Sequence, residues 1–329
     1  MPRAFVTGAG DFVGLNLIAE LRAQGWDVLG FASETSNTRC LENLGVDYIV
    51  GDISSLKDLR SAMPEAVDAV FHAVHDVSLW SQEAEAQTRA NVNGTRVAVC
   101  VALEKFVGRF IHTSSVVAYG LHLGTVTEET PTKASSSNIN FVRSKAEAEA
   151  EVRKGIRKGL DAVIINPANI IGPYDFHGWS RLFRMVDKGR MPVMAAGGGS
   201  FCHSRSMAKA QIGAFDNGRT GANYLLGGVD ATYVKLLAEV GQMMQRRVLP
   251  RALPKRLLEG MALADESLST LLRKRPVITR ETVELLSSHT YCKSLRAQEE
   301  LGYKPASLAE MLADCREWLK EEGLIRRQI

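Results

Sequence analysis

Up to about residue 166 the chain alternates short β-rich runs with segments of helical period, and that alternation leaves few folds open. The runs are Ala4–Thr7, Asp27–Phe31, Asp47–Val50, Ala69–His72, Arg109–Thr113 and Ala162–Asn166. Between the first two, Val13, Leu17, Ile18 and Leu21 recur at helical spacing before Gly25. A short helix is expected near Ser36–Leu44, another before Ala69, and longer ones over Ala84–Lys105 and Ile139–Lys158. Strands separated by helices build βαβ units, whose parallel sheet must be covered on both faces. The expected class is therefore α/β with a doubly wound parallel sheet. All-β and bundle folds are excluded.

After Gly172 the rhythm changes. Gly172–Ser200 reads as loop with a helix around Trp179–Lys188, and Ala222–Gly228 as one more strand. Helices follow over Tyr233–Gln245, Pro254–Leu272, Thr279–Leu286, Leu295–Leu301 and Leu308–Glu322. Ser307 with Glu310 three residues later predicts a capping box for the last of them. The expected division is a cofactor-type sheet domain over 1–171 and about 201–229. A smaller, mainly helical substrate cap takes 172–200 and about 230–329, with the cleft between the two.

Composition removes whole classes of function. With 329 residues, 45% of them hydrophobic, the chain can bury a substantial core. Lys+Arg 40 against Asp+Glu 37 leaves a net charge of +3, too weak a field to imply nucleic acid or a membrane as main partner. The basic clusters Arg246-Arg247, Arg251, Lys255-Arg256 and Arg273-Lys274-Arg275 accordingly read as solvated helix ends. Cys40, Cys100, Cys202, Cys292 and Cys315 lie far apart without a CxxC pair, so neither a metal site nor a disulfide framework is expected. No apolar run approaches ~20 residues and no signal-type h-region opens the chain. A cytoplasmic location is expected.

Directly after the first strand comes Thr7-Gly8-Ala9-Gly10-Asp11-Phe12-Val13-Gly14. Glycines between a strand and an amphipathic helix let the backbone approach a pyrophosphate and aim helix N-terminal N–H groups at it. The pattern departs from both common spacings, with Val13 where GxGxxG has its third glycine and Asp11 where TGxxGxxG has its second. A carboxylate beside a pyrophosphate is a like-charge contact unless it points away. Cofactor binding is expected, in a weakened form.

Further pieces follow in order: Gly51-Asp52-Ile53, Phe71-His72-Ala73, Asn91-Val92-Asn93-Gly94-Thr95, His112-Thr113-Ser114-Ser115, Ala118-Tyr119-Gly120, Ser144-Lys145 and Asn166-Pro167-Ala168-Asn169-Ile170-Ile171-Gly172-Pro173. With the glycine turn they resemble the extended short-chain dehydrogenase/reductases, the NAD-dependent epimerase/dehydratase superfamily, and within it the dihydroflavonol-reductase-like branch. The resemblance covers nearly the whole chain. It implies a Rossmann core, a nicotinamide cofactor (NADP or NAD), a C-terminal substrate cap, and a homodimer through helices near 84–105 and 139–158. It also implies cofactor contacts at Gly8, Gly10, Phe12, Val13, Gly14, Ser33, Asp52, Ile53, Ala73, Val74, Thr113, Pro167, Asn169 and Ile170. Asn91 would brace the site, Ser115 would bond the substrate oxygen, and Lys145 would bind the nicotinamide ribose and lower the pKa of the acid/base group.

The family's catalytic tyrosine stands four residues before that lysine, and here the position is Phe141. Ketone reduction creates an alkoxide that needs a proton, and phenylalanine has none to give. Acid–base help is worth roughly 10²–10⁴-fold. Three readings stay open: an engineered Tyr→Phe change that traps a complex, a noncatalytic nucleotide binder or non-redox enzyme, or another proton carrier. The carriers are His75, Tyr119, His203 or an ordered water. At the end of the second strand, Ala32-Ser33-Glu34 with Arg39 does not decide between NAD and NADP. Segment Gly197–His203 lacks the arginine expected of nucleotide-sugar enzymes. Trp80, Tyr174, Phe176, Trp179, Met191 and Met194 suggest instead a small, largely apolar substrate.

Overall fold

The computed structural model describes residues 1–190, 192–248 and 251–326, and the expected contact at Met191 lies outside them. The first half follows the alternation: β1 (Arg3–Thr7), α1 (Phe12–Ala23), β2 (Asp27–Ala32), α2 (Thr38–Asn43), β3 (Asp47–Val50), α3 (Leu56–Ala62) and β4 (Ala69–His72). Next come α4 (Ala84–Thr88) and α5 (Gly94–Glu104), joined by a π turn over Arg89–Asn93, and β5 (Arg109–Thr113). Then follow β6 (Gly124–Val126), α6 (Asn140–Ile156), β7 (Ala162–Pro167), β8 (Asn169–Ile171), α7 (Ser180–Asp187), β9 (Gly198–His203), α8 (Ser204–Asn217), β10 (Asn223–Leu226) and β11 (Val229–Thr232). The chain continues with α9 (Tyr233–Met243), α10 (Lys255–Leu272), α11 (Arg280–Leu286), β12 (His289–Cys292), α12 (Leu295–Leu301) and α13 (Leu308–Glu321).

Seven strands form one parallel sheet in the order β10-β7-β5-β4-β1-β2-β3. The order reverses between β1 and β4, the point at which an open α/β sheet leaves a crevice beyond its strand ends. Side chains alternate between two apolar layers, as the two-residue strand period requires. On one side Val6, Phe71 and Ile165 share a core with Leu15, Ile18 and Leu21 of α1 and Met207 and Ala210 of α8. On the other, Phe5, Val70, Phe110 and Ile164 meet Val99 and Ala102 of α5 and Val152 of α6. Thr7, His72 and His112 continue that second face one step further, so the interior turns polar just where the crevice opens.

Two features depart from the sequence expectation. Ser204–Asn217, which shows no clear apolar period, is a 14-residue helix packed on α1 through small side chains. The mainly helical C-terminal region also carries a small sheet, β11-β9-β12-β6 with β8 beside β9. It rests against α7, α9 and α13 through Phe183, Phe201, Leu236, Leu312 and Leu319. The capping box of α13 forms as expected: the Ser307 hydroxyl accepts from the Glu310 N–H at 3.2 Å, and the Ser307 N–H donates to Glu310 Oε2 at 2.7 Å.

That core includes Tyr174, Phe176, Trp179 and Met194 of the set expected to face a substrate. Trp179 stacks on Tyr233 at 5.1 Å and meets Phe201 edge-on, while Phe176 and Tyr174 pack against Trp318. Met194 is buried in the same cluster. The half-buried Trp179 ring is thus held between two core aromatics.

Candidate functional site

The glycine turn fits a phosphate group by its shape. Gly8 has φ +67°, a left-handed conformation that glycine adopts freely, and a Cβ there would lie 3.0 Å from Ala73 C and Val74 N. A Cβ on Gly14 would lie 2.1 Å from the Gly8 carbonyl oxygen, so this close approach of helix to turn requires glycine. Phe12 and Val13 open α1, and Gly10 abuts Ser36 of the β2–α2 loop. Asp11 stands at the helix N-cap but its side chain makes no capping bond, which leaves the first-turn N–H groups without a side-chain acceptor. The Asp11 carboxyl instead accepts a 3.4 Å bond from Ser36 Oγ, and burial pushes its pKa up to about 6. Turn, open N–H groups and helix end together fit a pyrophosphate, with Asp11 as the discordant element.

In the loop after β2, Ser33 Oγ lies 3.1 Å from Thr35 Oγ1 and 3.0 Å from Ser36 Oγ, an exposed hydroxyl cluster. Arg39 is 4.0 Å from Glu322 on the outer surface. Asp52 is paired with Arg89 and takes a 2.7 Å bond from Ser54 Oγ, and Ile53 packs beside Gly94. Ala73 and Val74 run from β4 along the glycine turn, the Ala73 N–H donating to the Thr7 carbonyl at 3.2 Å.

At the other end of the crevice lies Lys145, only 2% exposed although it is a lysine. Its Nζ donates to the Thr113 carbonyl at 3.4 Å, and Thr113 Oγ1 accepts from Gln211. Burial pushes Lys145 down to about 8, against the opposing pull of the Glu149 and Asp76 carboxylates. One turn earlier Phe141 sits buried in an apolar cluster with Ile139, Val142, Leu79, Val117, Leu121 and Leu285. Ser115 starts the short helical turn Val116–Tyr119; its Oγ accepts from the Val117 N–H at 3.3 Å and lies 3.5 Å from the Pro167 carbonyl. Asn169 spends its side-chain amide on the Ser200 carbonyl at 3.0 Å, and Ile170 is part of β8 beside Cys202.

The π turn presents Asn91 inward, where its amide donates to the Asp76 carbonyl and to Ser144 Oγ, both at 3.0 Å, and accepts from the Asp76 N–H at 2.7 Å. Asn91 thereby ties the segment after β4 to the lysine's own helix. The Thr95 hydroxyl donates to the Asn91 carbonyl at 2.6 Å, so at 3.0 Å from His72 Nε2 it must be accepting. His72 Nδ1 then accepts from Thr7 Oγ1 at 2.8 Å, which fixes the tautomer of this buried ring. This relay, and the Glu149 cluster beside it, escaped the sequence reading; their partners lie far apart along the chain, and only strand register brings them together.

The expected proton carriers separate clearly. His203 caps α8, its Nδ1 accepting from the Arg205 N–H at 3.1 Å while Nε2 lies 3.2 Å from Asp314 Oδ2. Both of its ring nitrogens are thus engaged, by Arg205 and Asp314. Burial and the Glu149 and Glu128 charges push the Tyr119 phenol above its ordinary range. His75 is pushed down to about 4 by burial and by the Lys145 charge; its Nδ1–H donates to the Ala73 carbonyl at 3.0 Å. The neutral ring therefore offers only a lone pair at Nε2. Trp80 is half-buried beside Leu79. A surface hollow of about 710 Å³ lies over α4 with Arg89, Asn93 and Asn140, and none of Ser115, Phe141 or Lys145 lines it.

Residues 4–227 match the family model described as the NAD dependent epimerase/dehydratase family. The chain belongs to that family. It is similar to sterol demethylase protein B of Methylococcus capsulatus, 31% identical over 97% of this chain and 99% of that one. A Synechocystis protein provisionally named dihydroflavonol 4-reductase is 29% identical over 98% and 96% of the two chains. The solved structure of gox2253 superposes with a TM-score of 0.84 at 30% identity, over 99% of this chain and 100% of that one. The dihydroflavonol-reductase-like resemblance holds, and the chain is an oxidoreductase-type enzyme of the epimerase/dehydratase family.

Proposed function

We propose that the protein interconverts a ketone and an alcohol on a small, largely apolar metabolite, with NAD(H) or NADP(H), and that Lys145 carries the proton that the family's tyrosine would carry. The observation behind this reading is a buried ammonium, pushed down to about 8, one helical turn from the missing phenol. A relative named for sterol demethylation and the apolar surroundings of Phe141 favour a lipophilic substrate.

The nicotinamide group supplies the hydride when bound. Its pyrophosphate would lie on the α1 N-terminus at Gly8–Gly14, its adenosine ribose by Ser33, Thr35 and Ser36, and its nicotinamide end by Thr113, Pro167 and Lys145. Ser115 Oγ donates a hydrogen bond to the substrate carbonyl oxygen. As the carbonyl carbon gains hydride, that oxygen becomes an alkoxide and takes a proton from Lys145 Nζ, directly or through one water. Lys145 is left as the neutral amine and is reprotonated from solvent. His75 is neutral with its one N–H committed to Ala73, so it cannot be the donor at pH 7. A lysine tuned toward neutrality is a competent acid.

The rival is a protein that binds the nucleotide without turnover, and Phe141 is the observation that favours it. Ketone reduction by NADH and NADPH is measured for the wild type, Phe141→Tyr and Lys145→Met. Under the main reading the wild type turns over, its rate falls as pH rises through about 8, and Lys145→Met is inactive while still folded. Binding without turnover, together with turnover in Phe141→Tyr, would favour the rival. No binding of either nucleotide at millimolar concentration would overturn both.

A further inference from the structure

Helix α10 shows solvent a second apolar face. Its buried side is narrow, formed by Leu258, Ala262 and Ser269. Around the cylinder from it, Leu257, Met261, Ala264, Leu268 and Leu271 recur at alternating spacings of four and three, a continuous stripe along the helix. Leu272 joins the stripe, and Val277 follows just beyond the helix. All are exposed, Leu271 to 78% and Val277 to 75%. Large apolar groups concentrated in this way mark a contact surface, whereas scattered ones do not.

The charges around the stripe say what it meets. Arg251, Arg256, Arg273 and Lys274 are exposed and make no ion pair among the described residues. The helix's carboxylates are already engaged. Glu259 lies 3.7 Å from Lys255, Asp265 accepts from the Val277 and Ile278 N–H groups, and Glu266 bonds Arg280. A second copy laid along the stripe, parallel or antiparallel, would bring basic end against basic end. An anionic bilayer surface offers the opposite charge at both ends and an apolar layer beneath the headgroups.

We infer that α10 and the turn after it dock the protein on anionic lipid, with the Leu257–Leu271 stripe entering the headgroup boundary and Arg256, Arg273 and Lys274 meeting lipid phosphates. This departs from the expectation that these basic clusters are merely solvated helix ends, and the exposed stripe between them is the reason. The same helix is tied to the candidate site on its other flank. Gln82 Nε2 donates to Thr270 Oγ1 at 2.7 Å, Arg275 pairs with Glu83 at 2.6 Å, and the Thr279 hydroxyl bonds the Leu79 carbonyl. The end of α10 is thereby fastened to the Leu79–Glu83 segment, whose Leu79 belongs to the Phe141 cluster.

The test is co-sedimentation of the whole protein with vesicles, without cofactor or turnover, so its outcome is independent of the catalytic reading. Vesicles of phosphatidylglycerol mixed with phosphatidylcholine should retain the protein, and pure phosphatidylcholine should retain at least ~10-fold less. Added salt should release it. The pairs Leu268→Asp/Leu271→Asp and Arg273→Glu/Lys274→Glu should each weaken retention at least ~10-fold with an unchanged melting temperature, because all four side chains are exposed. Equal retention on both lipids, retention unaffected by either pair, or failure to bind with a self-association that Leu268→Asp/Leu271→Asp abolishes would each overturn the inference. The last would assign the stripe to a second copy.

Discussion

His72 and His112 face each other across β4 and β5, ring centroids 5.4 Å apart and planes 19° from parallel, yet only His72 is hydrogen-bonded. Neither ring nitrogen of His112 has a partner, and the ring is wholly buried. Burial, with the His72 and Lys145 charges, holds His112 well below its ordinary range, and burial takes His72 down to about 3. A histidine neutral in the fold but free to protonate when unfolded makes stability fall as pH drops below about 6.5, by up to ~1.4 kcal/mol per pH unit. Replacing His112 by leucine removes both this linkage and two unpaired nitrogens. His112→Leu should be more stable by about 1–3 kcal/mol at pH 7. Urea melts should show the gain growing between pH 7 and pH 5; a gain constant across that range would refute the account.

Asp11 should weaken cofactor binding in proportion to its ionisation. Its folded pKa, raised to about 6 by burial, makes it an anion at pH 7 and increasingly neutral below 6. A dianionic pyrophosphate at the α1 N-terminus favours the protonated form, so affinity should rise as pH falls through that value. Asp11→Gly and Asp11→Asn should each bind NADH or NADPH about 10-fold tighter at pH 7.5 and flatten the pH dependence. Calorimetry at pH 5.5 and 7.5 reads both effects. Unchanged affinity in both variants would mean that the carboxylate, held by Ser36, turns away from the phosphates.

Arg109 closes the end of α8. Its Nη1 donates to the carbonyls of Ala214, Phe215 and Gly218 at 3.2, 2.9 and 3.0 Å, and its Nε bonds Asp161 at 2.8 Å. A lysine cannot make both sets of contacts, because its ammonium is a point and the guanidinium a fork. Arg109→Lys should cost about 1–2 kcal/mol and Arg109→Ala about 2–4 kcal/mol in chemical denaturation. Equal losses for the two would show that the fork geometry is irrelevant.

What could be read in advance divides along sequence distance. Asp47–Val50, Ala69–His72 and Leu295–Leu301 appear with the expected ends because their signals are local: β-branched or apolar runs, helical period and flanking breakers. Gly198–Ser200 reads as loop because Gly-Gly-Ser has no strand pattern of its own; the pairing of Gly198–His203 with Val229–Thr232, His289–Cys292 and Asn169–Ile171 makes it a strand. The site divides in the same way. Lys145 and the glycine turn stand out by local spacing, whereas the His72–Thr95–Asn91 relay depends on register between β1, β4 and α5. Trp179 and His203 were legible as residue types of the right chemistry, but nothing local shows that a tyrosine and an aspartate on α9 and α13 already hold them.

Glu149 stands one turn beyond Lys145 and holds the far end of the sheet together. It accepts from Ser114 Oγ and Asn166 Nδ2, both at 2.6 Å, and from Asn223 Nδ2 at 3.1 Å, with Arg153 at 3.7 Å. Removing the carboxylate strands three buried donors, and Glu149→Ala should lose about 3–5 kcal/mol. Glu149→Gln keeps the volume but turns one acceptor into a donor facing donors, and should lose about 1–3 kcal/mol and remain folded. The glutamine variant also reports on chemistry. The Glu149 charge helps keep Lys145 protonated against its burial, so its loss lets the lysine fall further below about 8. In the reduction assay the alkaline limb should then move to lower pH in Glu149→Gln, by half a pH unit or more. A variant that loses stability while its limb stays in place would make Glu149 a purely structural residue.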